Sequence, residues 1–244
     1  CYVVVPETAK NNNGKKKVLA SVLAGLAVAG AMGGIAPQEA QAGYDTGNSH
    51  VNIWADTNPK SNGQNYNVGQ NSIVVGYQNT TDNVAGHDGK VAIGAKNTST
   101  NNASTAVGNE NKATGGAATA VGAGNNASGK ASVALGNVNN ADAKAAVAVG
   151  TYNNVNYTKG SWQTTPKQAG EYSTVIGNYS SATGTSASAM GVYTNATGAG
   201  SFAAGYNNNA KGQNSVAIGS ENTSHVADTV TLGQFNNAKT MGGI

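Results

Sequence analysis

The stretch that governs the fold is residues 122–135, which read GAGNNASGKASVAL. The same 14-residue pattern, G-x-x-N-x-A-x-G-x-x-S-x-A-[VIL], recurs along most of the 244-residue chain. We number its positions 1 to 14 and call the glycine at position 1 the marker glycine. Successive marker glycines are spaced by 18, 14, 14, 14, 14, 27, 14, 14, 14 and 14 residues, which indicates stacked repeats. They are Gly76, Gly94, Gly108, Gly122, Gly136, Gly150, Gly177, Gly191, Gly205, Gly219 and Gly233.

The repeat length determines the fold class. Fourteen residues are too few for two packed helices, but they have room for two five-residue strands and two tight turns. Glycine and asparagine, which number 34 each, tolerate the left-handed backbone that such turns require. We therefore predict an all-β parallel solenoid with one coil per repeat. Coils stacked about 4.8 Å apart would give a rod about 50 Å long, in which each coil contacts its neighbours.

The strand before each marker glycine predicts self-association. In residues 132–135, Ser and Ala alternate with Val and Leu, so one face is Ser/Ala, the other is aliphatic, and neither is charged. A strand without a wet face is typically buried on both sides, in the coil interior and against another copy of the chain about a rotation axis. The pattern leaves open which of the two faces lines the coil interior and which contacts another copy. The alternative is that the Ser/Ala face is exposed to solvent and no second copy is needed. The second strand has a polar outer face, as at Lys112 and Asn126.

The N-terminal segment has the features of an export signal. Three lysines at residues 15–17 precede an apolar run over residues 18–36, and Ala40-Gln41-Ala42 forms a small-residue cleavage site. This order predicts a secretory signal over residues 1–42, cleaved after Ala42, with a transmembrane anchor as the alternative. Cys1, the single cysteine, falls within it, so no disulfide or cysteine metal site is expected after export. The remainder has 10 lysines, nine acids and no arginine, and a net charge of +1 supplies no basic patch for nucleic acid.

The repeats carry no recognisable catalytic motif. Residues 122–127 match the glycine pattern of a dinucleotide site, but no helix is expected after them. The pair His87-Asp88 lies in an irregular segment without a nucleophile elbow, which favours a surface loop. The template lacks the Asp of calcium-binding β-rolls, and the scattered acids offer no glycosidase pair. We predict a non-enzymatic protein without a metal or cofactor.

The 27-residue interval between Gly150 and Gly177 is the main candidate site. Aromatic side chains with a polar group anchor interfaces well, so residues 151–172 are predicted to form a protruding loop that contacts a ligand. An internal cap over a coil defect is the alternative. Residues 80–90 are a weaker candidate, and residues 43–70 are expected to cap the first coil. The predicted contact residues are Tyr152, Tyr157, Lys159, Trp162, Lys167 and Tyr172.

The repeats carry a family resemblance. The run Asn214-Ser215-Val216-Ala217-Ile218-Gly219, with the following Asn222, closely resembles the head of YadA-like trimeric autotransporter adhesins. Residues 1–7 resemble part of their extended signal region, and residues 225–233 resemble the transition from head to neck. The resemblance implies a left-handed β-roll, three chains per head and display on a Gram-negative outer membrane. It divides the chain into an extended signal peptide (1–42), a cap (43–70), head repeats (71–224) and the start of the neck (225–244).

The same resemblance implies a function. It predicts a surface adhesin that binds host matrix proteins such as collagen, host cells or other bacteria through many weak, repeated contacts. Residues 71–76 and 214–219 resemble segments linked to matrix binding, although their pattern favours buried strands. A display rod whose binding sites lie on downstream domains is the alternative. No stalk or membrane anchor is recognised before Ile244, so we expect the N-terminal part of a longer protein.

Overall fold

The structure is a computed structural model that describes residues 41–43, 51–54, 71–82, 84, 87–157, 164–166 and 169–240. Side chains are described in these ranges except at 41–43, 51–54, 155–157 and 164–166. All of these residues belong to one compact unit, Glu39–Ile244. The predicted signal segment lies outside the described residues, apart from the short strand that contains Ala42.

The described elements are all strands. In chain order they are β1 Gln41–Gly43, β2 Val51–Trp54, β3 Ile73–Tyr77, β4 Thr80–Thr81, β5 Val91–Ala95, β6 Thr98–Ser99, β7 Thr105–Asn109, β8 Lys112–Ala113, β9 Thr119–Ala123, β10 Asn126–Ala127, β11 Val133–Asn137, β12 Asn140–Ala141, β13 Val147–Thr151, β14 Val155–Tyr157, β15 Thr164–Pro166, β16 Thr174–Asn178, β17 Ser181–Ala182, β18 Ser188–Val192, β19 Asn195–Ala196, β20 Phe202–Tyr206, β21 Asn209–Ala210, β22 Val216–Ser220, β23 Thr223–Ser224, β24 Val230–Gln234 and β25 Asn237–Ala238.

The strands form a parallel β-solenoid, which confirms the predicted fold class. Within the described ranges, the first sheet has 13 strands in the order β1-β2-β3-β5-β7-β9-β11-β13-β16-β18-β20-β22-β24. From β2 onward every neighbour is parallel, and each marker glycine pairs with the next, as Gly122 pairs with Gly136 and Gly136 with Gly150. The two-residue strands on the other side form two five-stranded sheets, β12-β10-β8-β6-β4 and β17-β19-β21-β23-β25.

The two strands of a coil differ in length. The first has the expected five residues, but the second has two, because left-handed residues bend the backbone at position 3 and again at position 10. Position 4 follows the first bend and turns its side chain inward, so only positions 5 and 6 remain extended. The prediction of two five-residue strands was therefore wrong for the second strand.

The coil interior is lined by small side chains. In the coil of β11, Ser132 and Ala134 are fully buried, whereas Val133 and Leu135 on the opposite face are only half-buried. Ala141 of β12 is buried as well. The space between the two sheets therefore holds Ala and Ser, and the aliphatic face points outward. The alanines of this core fall into two clusters, which include Ala106, Ala113, Ala120, Ala127, Ala134 and Ala148 in one and Ala189, Ala196, Ala203, Ala210 and Ala217 in the other.

Buried asparagines at position 4 join the coils. The side-chain amide of Asn125 donates to the carbonyls of Val121 (3.0 Å) and Gly136 (2.7 Å), and its Oδ1 accepts from the backbone N–H of Asn139 (3.0 Å). A buried amide is tolerated only when its polar atoms are paired in this way. We call the column the asparagine ladder. It comprises Asn79, Asn97, Asn111, Asn125, Asn139 and Asn153, then Ser180 and Thr194, then Asn208, Asn222 and Asn236.

The left-handed residues lead to a stability prediction. The sequence suggested Gly and Asn at these turns, but most of them are other residues, such as Ala131 at φ 55°. Ala131 is exposed, so Ala131→Gly removes backbone strain without loss of packing. Denaturant unfolding should show stabilisation of about 0.5–1 kcal/mol. The control Ala123→Gly, at a strand position without positive φ, should lose about the same amount. Equal losses in both variants would contradict the prediction.

Candidate functional site

The outward face of the first sheet is an uncharged aliphatic surface, which we call the outer apolar face. Its side chains occupy positions 12 and 14, and several are well exposed on the single chain, with Ile176 at 42% and Leu232 at 56%. Contiguous exposed apolar surface of this kind marks an interaction site. Its larger members are Ile73, Val75, Val91, Ile93, Val107, Val121, Val133, Leu135, Val147, Val149, Ile176, Met190, Phe202, Val216, Ile218, Val230 and Leu232.

The predicted ligand loop contains a β-hairpin. Strands β14 and β15 pair antiparallel, with Val155 opposite Pro166 and Tyr157 opposite Thr164. The chain leaves the solenoid after Asn154, at position 5 of the coil, and rejoins it at Ala169, which occupies position 7. Of the predicted contact residues, Tyr157 lies on β14, while Lys159, Trp162 and Lys167 lie outside the described residues.

Two side chains supply hydrogen bonds that replace strand pairing in the second sheet at the point where the hairpin leaves it. Asn154 is fully buried, its Nδ2 donates to the carbonyl of Asn140 (3.0 Å), and its Oδ1 accepts from the N–H of Ala182 (2.9 Å). One side chain therefore bridges strands β12 and β17, which are not paired with each other. Asp142 Oδ1 accepts from the N–H of Ala169 (2.7 Å) and fixes the returning chain. The first sheet continues past the hairpin in unbroken register.

A cleft opens beside the base of the hairpin. Its volume is about 680 Å³, and it is lined by residues of three coils, including Asp142, Lys144, Glu171 and Thr183. Lys144 Nζ lies 5.3 Å from the centre of the Tyr172 ring, and a hydrogen bond to the Tyr172 hydroxyl raises the pKa of Lys144. The cleft thus presents charges of both signs and hydroxyl groups within reach of the hairpin.

Tyr152 and Tyr172, two of the predicted contact residues, lie in different turns of the coil. Tyr152 is at position 3 and stacks on Tyr179, with ring centres 5.1 Å apart and planes within 4°. The stack continues to Tyr193 and then to Tyr206. We call these four residues the tyrosine row. Its last three members were not among the predicted contact residues, because the 27-residue interval hides the register between Tyr152 and Tyr179.

The weaker candidate, residues 80–90, is held by an ionic cluster. His87 Nδ1 lies 2.6 Å from Asp82 Oδ2, and the Nζ of the fully buried Lys90 lies 3.3 Å from Asp82 Oδ1. His87 thus pairs with Asp82 and not with its neighbour Asp88. Lys90 takes position 11, where most coils place a buried Ser or Ala. These contacts hold together the irregular part of the 18-residue coil.

The two segments that resemble matrix-binding motifs are first-sheet strands. Residues 71–76 fall on β3 and residues 214–219 on β22, with Ser72 and Ser215 buried and Ile73 and Ile218 on the outer apolar face.

In the ranges that the structure describes, no group of three or more His, Cys, Asp or Glu side chains could hold a metal ion. No helix long and apolar enough to cross a membrane occurs in those ranges.

The comparisons with known proteins agree with this geometry. The family "YadA head domain repeat (2 copies)" matches residues 113–139, 127–153, 169–194 and 196–222, and the unmatched residues 154–168 are the hairpin segment. The search of curated proteins found no match. Proteins of this family are adhesins of the Gram-negative cell surface, and repeats and folds of this type are typical of adhesins rather than enzymes. The matched segments between residues 113 and 222 thus carry the YadA head-domain repeat, which supports a head of the YadA-like trimeric autotransporter adhesin type in this part of the chain.

Proposed function

We propose that this chain forms the head of a homotrimeric, non-enzymatic adhesin on the outer surface of a Gram-negative bacterium. The observation that carries the proposal is the outer apolar face, which runs along the first sheet without a charged side chain at positions 12 and 14. Three copies around one axis would bury this face and leave the polar second sheets in water. In this proposal residues 1–42 direct export, residues 43–70 cap the head, and residues 225–244 begin the neck.

The composition of the core supports the trimer. Within one chain the interior buries mainly Ala, Ser and Asn, which contribute little apolar area per residue. The larger Val, Ile, Leu and Met side chains lie on the outside, where they are already about half-buried and full burial of each would add roughly 1 kcal/mol. A substantial part of the available hydrophobic stabilisation is therefore realised only when chains associate.

We assign ligand contact to the hairpin and the adjoining cleft. The proposed targets are host matrix proteins such as collagen, host cells or other bacteria. Asn154 and Asp142 keep the solenoid intact around the insertion, so the hairpin is carried without loss of coil register. Tyr172 and Lys144 place an aromatic ring and a positive charge at its base. Three copies on one trimer would combine weak contacts into useful avidity.

Removal of the hairpin tests this assignment. Deletion of residues 156–168 shortens the 27-residue interval by 13 residues and restores the 14-residue spacing. Val155 then takes position 6, and Val155→Ala in the same variant restores the alanine of the template. We expect the trimer to remain folded while adhesion to a panel of collagens, other matrix proteins and cells falls at least about tenfold.

The control for this deletion is Ala131→Gly, which lies on another coil and leaves the hairpin intact. Circular dichroism and sedimentation establish that each variant keeps its fold and mass. Unchanged adhesion by an intact deletion trimer would remove the hairpin from the binding site. Lack of adhesion by the unaltered protein would instead favour a display rod that presents downstream domains.

A further inference from the structure

The tyrosine row forms a second surface, separate from the cleft and the outer apolar face. Tyr152, Tyr179 and Tyr193 occupy position 3 of three successive coils, with ring centres 5.1 and 5.4 Å apart and nearly parallel planes. Tyr206 joins from position 2 of the next coil, 6.2 Å from Tyr193 and perpendicular to it. The row therefore follows the direction in which the coils stack, with one ring per coil.

The end of the row is open to solvent. Tyr193 is 44% exposed and Tyr206 is 50% exposed, and the neighbouring Val192 is exposed as well. The rings of Tyr193 and Tyr206 meet at a right angle and so do not cover each other face to face. A phenol ring offers apolar area and a hydroxyl group at little conformational cost, which suits it to contact a ligand with both apolar and polar groups.

A negative charge adjoins the open end of the row, because the exposed Glu221 lies at position 3 of the next coil and its backbone N–H donates to the carbonyl of Tyr206 (2.9 Å). From residue 173 to residue 210 the sequence contains no Asp, Glu, Lys, Arg or His. The row is flanked by side-chain amides, including Asn195, whose Nδ2 donates to the carbonyl of Tyr193 (3.3 Å) and to Asn209 Oδ1 (3.2 Å). The same turn in earlier coils is charged, with Lys96 Nζ 3.5 Å from Glu110 Oε1. Residues 173–210 supply no positive charge to the row, and Glu221 would repel a polyanion, so the ligand of the row should be neutral.

We propose that the tyrosine row binds a neutral polysaccharide that lies along the solenoid axis. The ring spacing is close to the length of one pyranose unit in an extended glycan, so successive sugars can meet the edges and hydroxyls of successive rings. Sugar C–H groups would contact the exposed parts of the Tyr193 and Tyr206 rings, and sugar hydroxyls would exchange hydrogen bonds with the phenols and the flanking amides. This site goes beyond the proposed attachment through the hairpin and does not require it.

Affinity electrophoresis in gels that contain hydroxyethylcellulose tests the site, and titration calorimetry with cellohexaose and chitohexaose measures affinity. The unaltered protein should be retarded by the neutral polymer and not by heparin. The double variant Tyr193→Ala/Tyr206→Ala should weaken binding by at least about tenfold. The control Tyr77→Ala removes an exposed tyrosine from position 2 of a coil outside the row and should bind normally.

A second measurement does not rely on variants. Saturation-transfer NMR should show contact between tyrosine ring protons and the bound oligosaccharide. The proposal is overturned if the unaltered protein binds none of the neutral glycans, or if the double variant binds them equally well. It is also overturned if a proline-rich peptide or heparin binds the row in preference to them. A double variant that changes the sedimenting mass would identify the row as a contact between copies, and it would overturn the proposal too.

Discussion

Gly136→Ala is expected to lower the free energy of unfolding by more than about 4 kcal/mol. The backbone of Gly136 has φ 115°, and a Cβ there would overlap the carbonyl oxygen of Gly150 in the next coil. The obstacle is backbone of a paired strand, which cannot move without separating β11 from β13. A loss of this size is a large part of the stability of an ordinary domain, typically about 5–15 kcal/mol.

The control for this prediction is Gly116→Ala, which lies two coils away. Gly116 has no positive φ, and its nearest neighbour, Asn101 Oδ1, would lie 3.7 Å from the added methyl, which is ordinary contact. Denaturant unfolding at one fixed protein concentration compares the two variants, and hydrogen exchange shows whether protection is lost first around β11 and β13. If Gly136→Ala were as stable as Gly116→Ala, the close backbone contact between neighbouring coils at position 1 would not require glycine, and the prediction would be wrong.

Asn125→Ala should destabilise the protein by about 3–5 kcal/mol. The substitution removes the acceptor of the Asn139 N–H and the donor to the carbonyls of Val121 and Gly136, all inside the coil. It also leaves Asn111 Oδ1 without its side-chain donor from Asn125. Each buried polar atom left without a partner costs about 1–3 kcal/mol, and alanine brings no compensating contact.

Asn126→Ala is the matched control, because Asn126 is adjacent but points outward. Its Nδ2 donates to Oδ1 of the buried Asn140 (2.6 Å) and more weakly to Ser128 Oγ (3.4 Å); because Asn126 is itself only half-buried, its removal opens the Asn140 amide to water. We expect a loss below about 1 kcal/mol from this variant. Similar losses in both variants would contradict a special role for the asparagine ladder.

Periodicity in the sequence was sufficient to predict the solenoid. Marker glycines spaced by 14 residues place Gly122, Gly136 and Gly150 in register, and the structure pairs them in that way. Hydropathy alone does not identify the inward face. Val133 and Leu135 are more apolar than Ser132 and Ala134, yet Ser132 and Ala134 are the side chains that lie inside the coil. Side-chain size decides the matter, since the gap between the two sheets holds mainly Ala and Ser, with Val74, Val175 and Lys90 as the larger exceptions.

The candidate sites were less predictable, because they depend on register across interrupted coils. The insertion places Tyr179 27 residues after Tyr152 where the repeat would give 14, and Tyr206 enters the row one position early, so only the Tyr179–Tyr193 pair keeps the repeat spacing. Nothing in the sequence distinguishes Asn154 from the other polar residues of the interval. Its role depends on two backbone groups, of Asn140 and Ala182, that are distant in sequence.

The oligomeric state of the purified chain tests the central claim most directly. Sedimentation equilibrium should give one species with three times the mass of a single chain. Val149→Lys with Ile176→Lys, two neighbours on the outer apolar face, should shift it toward single chains, whereas Lys112→Ala on the polar second sheet should not. A single-chain mass for the unaltered protein would contradict the proposal that three copies bury the outer apolar face.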